Sequence, residues 1–239
     1  MAWTQGSGRT RVLDSLSALM YPPVCLVCGL AGRDGLDCCS GCEAELPALT
    51  AACRRCGLAT PSPVSRCGRC LSRPPHFDAT FPGFAWEGEI ERLVHRFKFR
   101  HDLASGRVLA ALLARRLTLS GAPRPDLMVP VPLHYRRRLM RGYNQSELLC
   151  RDLSLHLAGL PWLAALRRRR PTHAQSGLPA ARRRGNVRSA FALRWLPPGA
   201  RHIALVDDVM TTGATLDECA RVLKRAGVQR VDVWVVARA

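Results

Sequence analysis

Eight cysteines repeat a spacing suited to metal. Cys25-x2-Cys28-x10-Cys39-x2-Cys42 is followed by Cys53-x2-Cys56-x10-Cys67-x2-Cys70, every position displaced by 28 residues. The flanks repeat too, Cys28-Gly29-Leu30-Ala31 returning as Cys56-Gly57-Leu58-Ala59. A Cys-x-x-Cys turn lets two thiolates grip one ion, and four thiolates close a tetrahedral structural zinc site with no open position for catalysis. The duplication therefore predicts two zinc ions, held sequentially (first four, last four) or cross-braced. Cys38, next to Cys39, is a rival ligand, but Arg66 stands at its place in the second repeat, so it reads as a bystander. Arg33, Arg54, Arg55, Arg66 and Arg69 lie close enough in sequence to offset the thiolate charge. Structural disulfides would need an oxidising compartment, and a redox Cys-x-x-Cys would not recur four times.

A second constellation runs from Ile203 to Thr215. Four apolar residues ending at Val206 precede the paired carboxylates Asp207 and Asp208, then Thr211, Thr212, Gly213, Ala214 and Thr215 open a helical pattern. A short hydroxyl-rich loop leading into a helix N-terminus is an anion cradle, and Gly213 allows close backbone approach. The carboxylates cannot bind phosphate, but they can accept from a ribose diol. A Thr215/Glu218 capping box explains the helix start and leaves the adjacent carboxylates unexplained. No basic partner for them is evident nearby in the sequence.

Such groups need a rigid support, and the remaining pattern supplies one. Apolar periodicity predicts a strand or hairpin over Phe77–Trp86 and helices from Gly88 to Leu119 with a break near Asp102. Strands follow over Leu127–Val131, Ile203–Val206 and Val231–Val236. One helix begins at Asn144 with Glu147 three residues on, and another carries Leu216, Cys219, Ala220 and Leu223. Strand–helix alternation of this kind means an α/β fold, a parallel sheet with helices on both faces. Cys150 and Cys219 fall among apolar helix neighbours and read as buried, inert thiols. The composition shift at Arg73-Pro74-Pro75 divides the chain into a first domain of residues 1–75, an amphipathic helix over Val12–Met20 plus the cysteine modules, and a second of 76–239.

The 239-residue chain carries a net charge of +18, and Lys98 and Lys224 are its only lysines among 36 basic residues. Hydrophobic residues at 47% exclude a disordered chain, and no apolar run is long enough for a membrane span. The N-terminal pattern lacks the unbroken apolar core of a signal peptide, which predicts a cytoplasmic protein. Excess positive charge points to an acidic partner.

Residues 203–215 resemble the phosphoribosyl diphosphate (PRPP) motif of type I phosphoribosyltransferases. Met128-Val-Pro130-Val-Pro132-Leu-His134, Arg136-Arg-Arg138, Arg141 to Leu148, Gln175-x-x-Leu178 and Arg182-Arg-Arg184 resemble the signature of the competence protein F (ComF) family. The double cysteine module and a segment from Trp86 to Lys98 are similar to that family as well. The resemblance implies a type I phosphoribosyltransferase-like domain behind a zinc ribbon, with Asp207 and Asp208 on the ribose hydroxyls as the catalytic pair. It places the 5′-phosphate on Thr211, Thr212, Gly213, Ala214 and Thr215 beside Val206, and the diphosphate at Pro132 with Arg136 and Arg137. Gln175, Arg182, Arg183 and Arg184 would belong to a flexible loop, and Mg²⁺ would enter with PRPP.

Two functions from different classes follow. One is transfer of a phosphoribosyl group, as in nucleotide salvage, to an acceptor the sequence does not name. The other is single-stranded DNA handling in DNA uptake, with the PRPP pocket as sensor or anchor and the competence helicase machinery as partner. Between His134 and Arg188 there are 13 arginines against Glu147 and Asp152, a run able to track a phosphate backbone. Aromatic residues are scarce at 6%, so no stacking platform is evident. A transcription regulator on the same fold has no helix-turn-helix pattern to support it. Whether the chain forms an oligomer stays open.

Overall fold

The protein is described here by a computed structural model over residues 22–133, 139, 142–169 and 189–239. The helix expected over Val12–Met20 lies outside these residues, as do Arg136, Arg137, Gln175, Arg182, Arg183 and Arg184. Among the described residues no helix is long and apolar enough to cross a membrane.

Two compact units meet at the Leu46–Pro47 peptide. The first holds one cysteine module and the short helix α1 (Ser40–Glu45). The second contains everything from Pro47 onward. It opens with the other cysteine module, whose helix α2 spans Gly68–Ser72. The division expected at residue 75 thus differs from the packing. Arg55 explains why: its guanidinium donates to the Pro75 and Asp78 carbonyls at 2.7 and 3.2 Å, and Thr80 Oγ1 donates back to the Arg55 carbonyl at 2.8 Å. A Cβ on Gly57 would lie 2.9 Å from Thr80 Cγ2, so the turn of this module sits directly on the first strand.

That strand, β1 (Ala79–Ala85), leads into α3 (Gly88–Phe99) and α4 (Leu103–Leu119). Asp102 separates the two helices by capping α4, its carboxylate accepting from the Ser105 N–H at 3.2 Å. Next come β2 (Leu127–Pro130), α5 (Gln145–His156), β3 (Leu166–Arg168) and β4 (Phe191–Leu193). The described chain closes with β5 (His202–Met210), α6 (Ala214–Arg225) and β6 (Arg230–Arg238). Strands β1, β6, β5 and β2 form, in that order, a fully parallel sheet.

Helices cover both faces, as the strand–helix alternation requires. On one face Ile203, Leu205, Val231, Val233 and Val235 share a core with Leu216, Cys219, Ala220 and Leu223 of α6. Cys53, Cys56, Cys70 and Phe77 join that same core. The opposite face packs α4 against β1 and β6, and α5 against β2 and β5. The antiparallel pair β3–β4 has only three residues per strand and no counterpart in the sequence reading. Strand β5 runs four residues past Val206, so the two carboxylates lie within the strand rather than beyond it.

Candidate functional site

The two cysteine modules fold alike because their turns are alike. Cys25 N–H donates to Leu30 O at 2.7 Å and Gly29 N–H to Cys25 O at 2.9 Å; Cys53 to Leu58 and Gly57 to Cys53 repeat these bonds at 2.8 Å each. Cys25, Cys28, Cys39 and Cys42 converge in one cluster, and Cys53, Cys56, Cys67 and Cys70 in the other, with all sulfurs of a cluster within 4.8 Å of one another. The pairing is therefore sequential. The Cys28–Cys39 and Cys56–Cys67 sulfurs are both 3.7 Å apart. Tetrahedral thiolates at about 2.3 Å from zinc stand roughly 3.8 Å from each other, so both clusters fit the ion. Cys38 stays out: it is buried, its thiol bonds to the Cys39 carbonyl, and burial pushes its pKa up. Cys150 and Cys219 are fully buried, with thiol pKa values pushed well above 9.0, and are inert as expected.

Arg33, Arg55 and Arg69, three of the five arginines expected to screen the thiolates, have other partners. Arg33 pairs with Asp34 and Glu43 at 3.2 Å. Arg69 donates to the Thr212 carbonyl at 2.7 Å, across to the 211–215 loop. Arg238, unremarked in the sequence, is buried at the end of β6. Its guanidinium donates to Cys56 O at 3.1 Å, Met210 O at 3.0 Å and Thr211 O at 2.6 Å. The second cysteine module and the loop after β5 are thus tied by two arginines.

The loop itself has the form of a cradle. Gly213 begins α6 with φ +76° and no side-chain cap, and a Cβ there would meet Met210 Cε at 2.5 Å. The alternative capping box is overturned. Glu218 instead accepts from the Ser189 N–H at 2.7 Å and pairs with Arg221. Thr212 Oγ1 accepts from the Ala214 N–H at 3.4 Å; Thr211 is exposed, and Thr215 is partly so. Val206 is buried in the sheet and accepts the Val131 N–H at 3.0 Å, which sets Pro132 beside the carboxyl end of β5.

At that end stand Asp207 and Asp208. Ser146 Oγ donates to Asp207 at 3.0 Å, and the Asp208 N–H donates to the same oxygen at 3.0 Å. Lys98 Nζ lies 2.9 Å from Asp208 Oδ1, with the Trp86 ring 5.9 Å away. The expectation of carboxylates without a cation is corrected by this lysine, delivered by the last turn of α3. Burial and the neighbouring Asp208 charge push the Asp207 carboxyl up to about 7, against the opposing pull of Lys98. Asn144 caps α5 by accepting from the Ser146 N–H at 3.2 Å, while its amide donates to Val131 O at 3.2 Å. Tyr143 Oη donates to the Phe97 carbonyl, and their rings stack at 5.8 Å. Strand end, helix start and lysine-bearing helix are therefore one connected set.

Of the expected site residues, the structure brings together Asp207, Asp208 and the 211–215 loop, and it adds Lys98, Ser146, Arg69 and Arg238. The Trp86–Lys98 segment held the only sequence hint of the lysine.

Residues 16–71 match the double zinc ribbon domain family. The chain is similar to DNA utilization protein YhgH of Escherichia coli K12, at 38% identity over 92% of this chain and 99% of that one. It is similar to competence protein F of Haemophilus influenzae at 37% identity, covering 87% and 92%. Among solved structures it is similar to a purine phosphoribosyltransferase from Pyrococcus horikoshii, at 15% identity over 67% and 88% of the chains with a TM-score of 0.31.

Proposed function

This chain belongs to the family of competence protein F and DNA utilization protein YhgH, and from that premise we propose that it binds PRPP or a related phosphorylated ribose and serves single-stranded DNA handling during DNA uptake. The observation that carries the ligand reading is the carboxylate pair Asp207–Asp208 set between Lys98 and a Gly213-led helix start. Asp207 and Asp208 accept from the ribose hydroxyls, and residues 211–215 take the 5′-phosphate through backbone N–H groups and threonine hydroxyls. Pro132, with Arg136 and Arg137, borders the diphosphate. Gln175, Arg182, Arg183 and Arg184 serve as the closing loop. Mg²⁺, when bound through the diphosphate, supplies charge neutralisation there. In this reading the protein acts on DNA in the cytoplasm, with the competence helicase machinery as its partner.

The test is calorimetry with PRPP and Mg²⁺ on the parent and on Asp208→Asn. A charge-assisted hydrogen bond of about 1.5–3 kcal/mol predicts roughly 10- to 150-fold weaker binding by the variant. No binding by the parent at millimolar PRPP overturns the reading. Pyrophosphate release, followed with and without single-stranded DNA, separates a sensor from a salvage enzyme: turnover independent of DNA favours the enzyme.

A further inference from the structure

We propose that the cleft between the second cysteine module and α6 is a groove for the phosphodiester backbone of single-stranded DNA. The proposal rests on the DNA part of the reading above, and it assigns that part to residues outside the arginine run of 134–188.

The cleft has a volume of about 760 Å³ and lies wholly within the unit that begins at Pro47. Arg69 and Arg73 line one wall, four residues apart at the two ends of α2. Arg221 and Arg225 line the other, again four apart, and so on one face of α6. Asp207 and Asp208 are not among its lining residues, but Thr212, Gly213 and Ala214 are, so the groove ends on the loop assigned above to the 5′-phosphate and leaves the ribose carboxylates outside it. Two acidic side chains also border it, and both are engaged. Asp217 accepts from the His76 N–H at 2.6 Å and from its ring at 2.9 Å, and Glu218 is held by Arg221 and Ser189.

Arg73 and Arg225 are different. Both are exposed, and neither guanidinium has a hydrogen bond or ion pair to a described residue. Like charges facing each other across a cleft raise its potential, and a bound polyanion relieves it. Phe77, the one aromatic carbocycle in the lining, is buried and offers no stacking face. The walls thus suit phosphates and not bases, which means contact along a strand with little sequence preference. Arg69 also holds the Thr212 carbonyl, so it is left intact in the test below.

The experiment is fluorescence anisotropy of the full zinc-loaded chain with a labelled oligothymidylate of about twenty nucleotides, titrated across roughly 50–200 mM salt. Each lost phosphate contact flattens the log–log salt slope by about 0.7 for a single strand. Arg73→Gln/Arg225→Gln is expected to flatten it by roughly 1.4 and to weaken binding about tenfold at the low-salt end. Arg107→Gln, which removes an exposed charge on α4, is expected to leave the slope within about 0.3 of the parent. An unaltered slope in the double variant, or an equal loss per charge in Arg107→Gln, overturns the groove and leaves the DNA reading standing. No binding by the parent overturns both. Displacement of the strand by millimolar pyrophosphate identifies the cleft as a small-anion site and overturns the strand assignment.

Discussion

Lys98 Nζ and Asp208 Oδ1 lie 2.9 Å apart, and this contact closes a ring of interactions around the candidate ribose site. From Asp208 the ring passes to Asp207, to Ser146 at the start of α5, back along that turn to Tyr143, and through Phe97 to Lys98. The lysine is the one described cation opposing two adjacent carboxylates, so the two sides of the pair are unequal. Lys98→Met leaves both acids uncompensated. Its side chain is 21% exposed, so the expected loss of about 1–3 kcal/mol is below that of a fully buried broken pair. Asp208→Asn removes the ion pair and the Asp207–Asp208 repulsion together, and should change stability by no more than about 1 kcal/mol. Urea unfolding of both variants and of the double variant checks this. The double variant should be more stable than the sum of the single effects, and strict additivity would mean that the contact is not felt.

Gly213 gives a sharper separation between folding and binding. A Cβ at its positive φ costs about 1–2 kcal/mol, and Met210 must also give way. Gly213→Ala should fold with that modest loss yet bind PRPP far more weakly, and Gly213→Val should not bind it at all. Thermal unfolding beside calorimetry reads both effects. Full affinity in Gly213→Ala would mean that the ligand phosphate does not approach this backbone.

Asp207 makes stability depend on pH in a defined direction. Its carboxyl has an ordinary value of 3.8 and is pushed up to about 7 in the folded chain, by burial and by Asp208 against the pull of Lys98. Folding therefore takes up a proton between these values. The stability this group contributes is fully present below about pH 4 and is lost as pH rises through 7. Asp207→Asn should cancel that slope. With zinc in excess, the parent should lose stability relative to the variant between about pH 5.5 and 8. A constant difference over that range would show Asp207 ionised throughout.

Much of this arrangement was legible in the sequence because it is written in local patterns. The 28-residue repeat carries both metal clusters, and apolar runs carry all four strands of the sheet. Long-range closures were not. Lys98 and Asp208 stand 110 positions apart, and nothing near either one signals the other. The β3–β4 pair escaped because Leu166–Arg168 sits in an arginine run and is too short for alternation to register. The Arg73-Pro74-Pro75 composition shift marked a turn, but composition does not report contacts. Arg55, Gly57 and Arg238 bind the second cysteine module to the sheet across that turn.

That attachment changes what metal removal should do. The sequence alone predicts that chelation unfolds residues 25–70 and leaves the α/β domain largely intact. Yet Cys53, Cys56 and Cys70 share a core with Phe77, Met210 and Leu216, and Arg238 spans from Cys56 O to the Met210 and Thr211 carbonyls. The two clusters should therefore behave differently. Elemental analysis should find two zinc ions in the parent and one each in Cys28→Ser and Cys70→Ser. Cys28→Ser should keep native amide protection across residues 203–216 and parent-like affinity for PRPP. Cys70→Ser should lose protection over residues 210–216 and bind PRPP more weakly, because the arginines holding the loop lose a fixed base. Equal effects from the two variants would mean that the loop is shaped by β5 and α6 alone, with the second zinc site a neighbour and not a support.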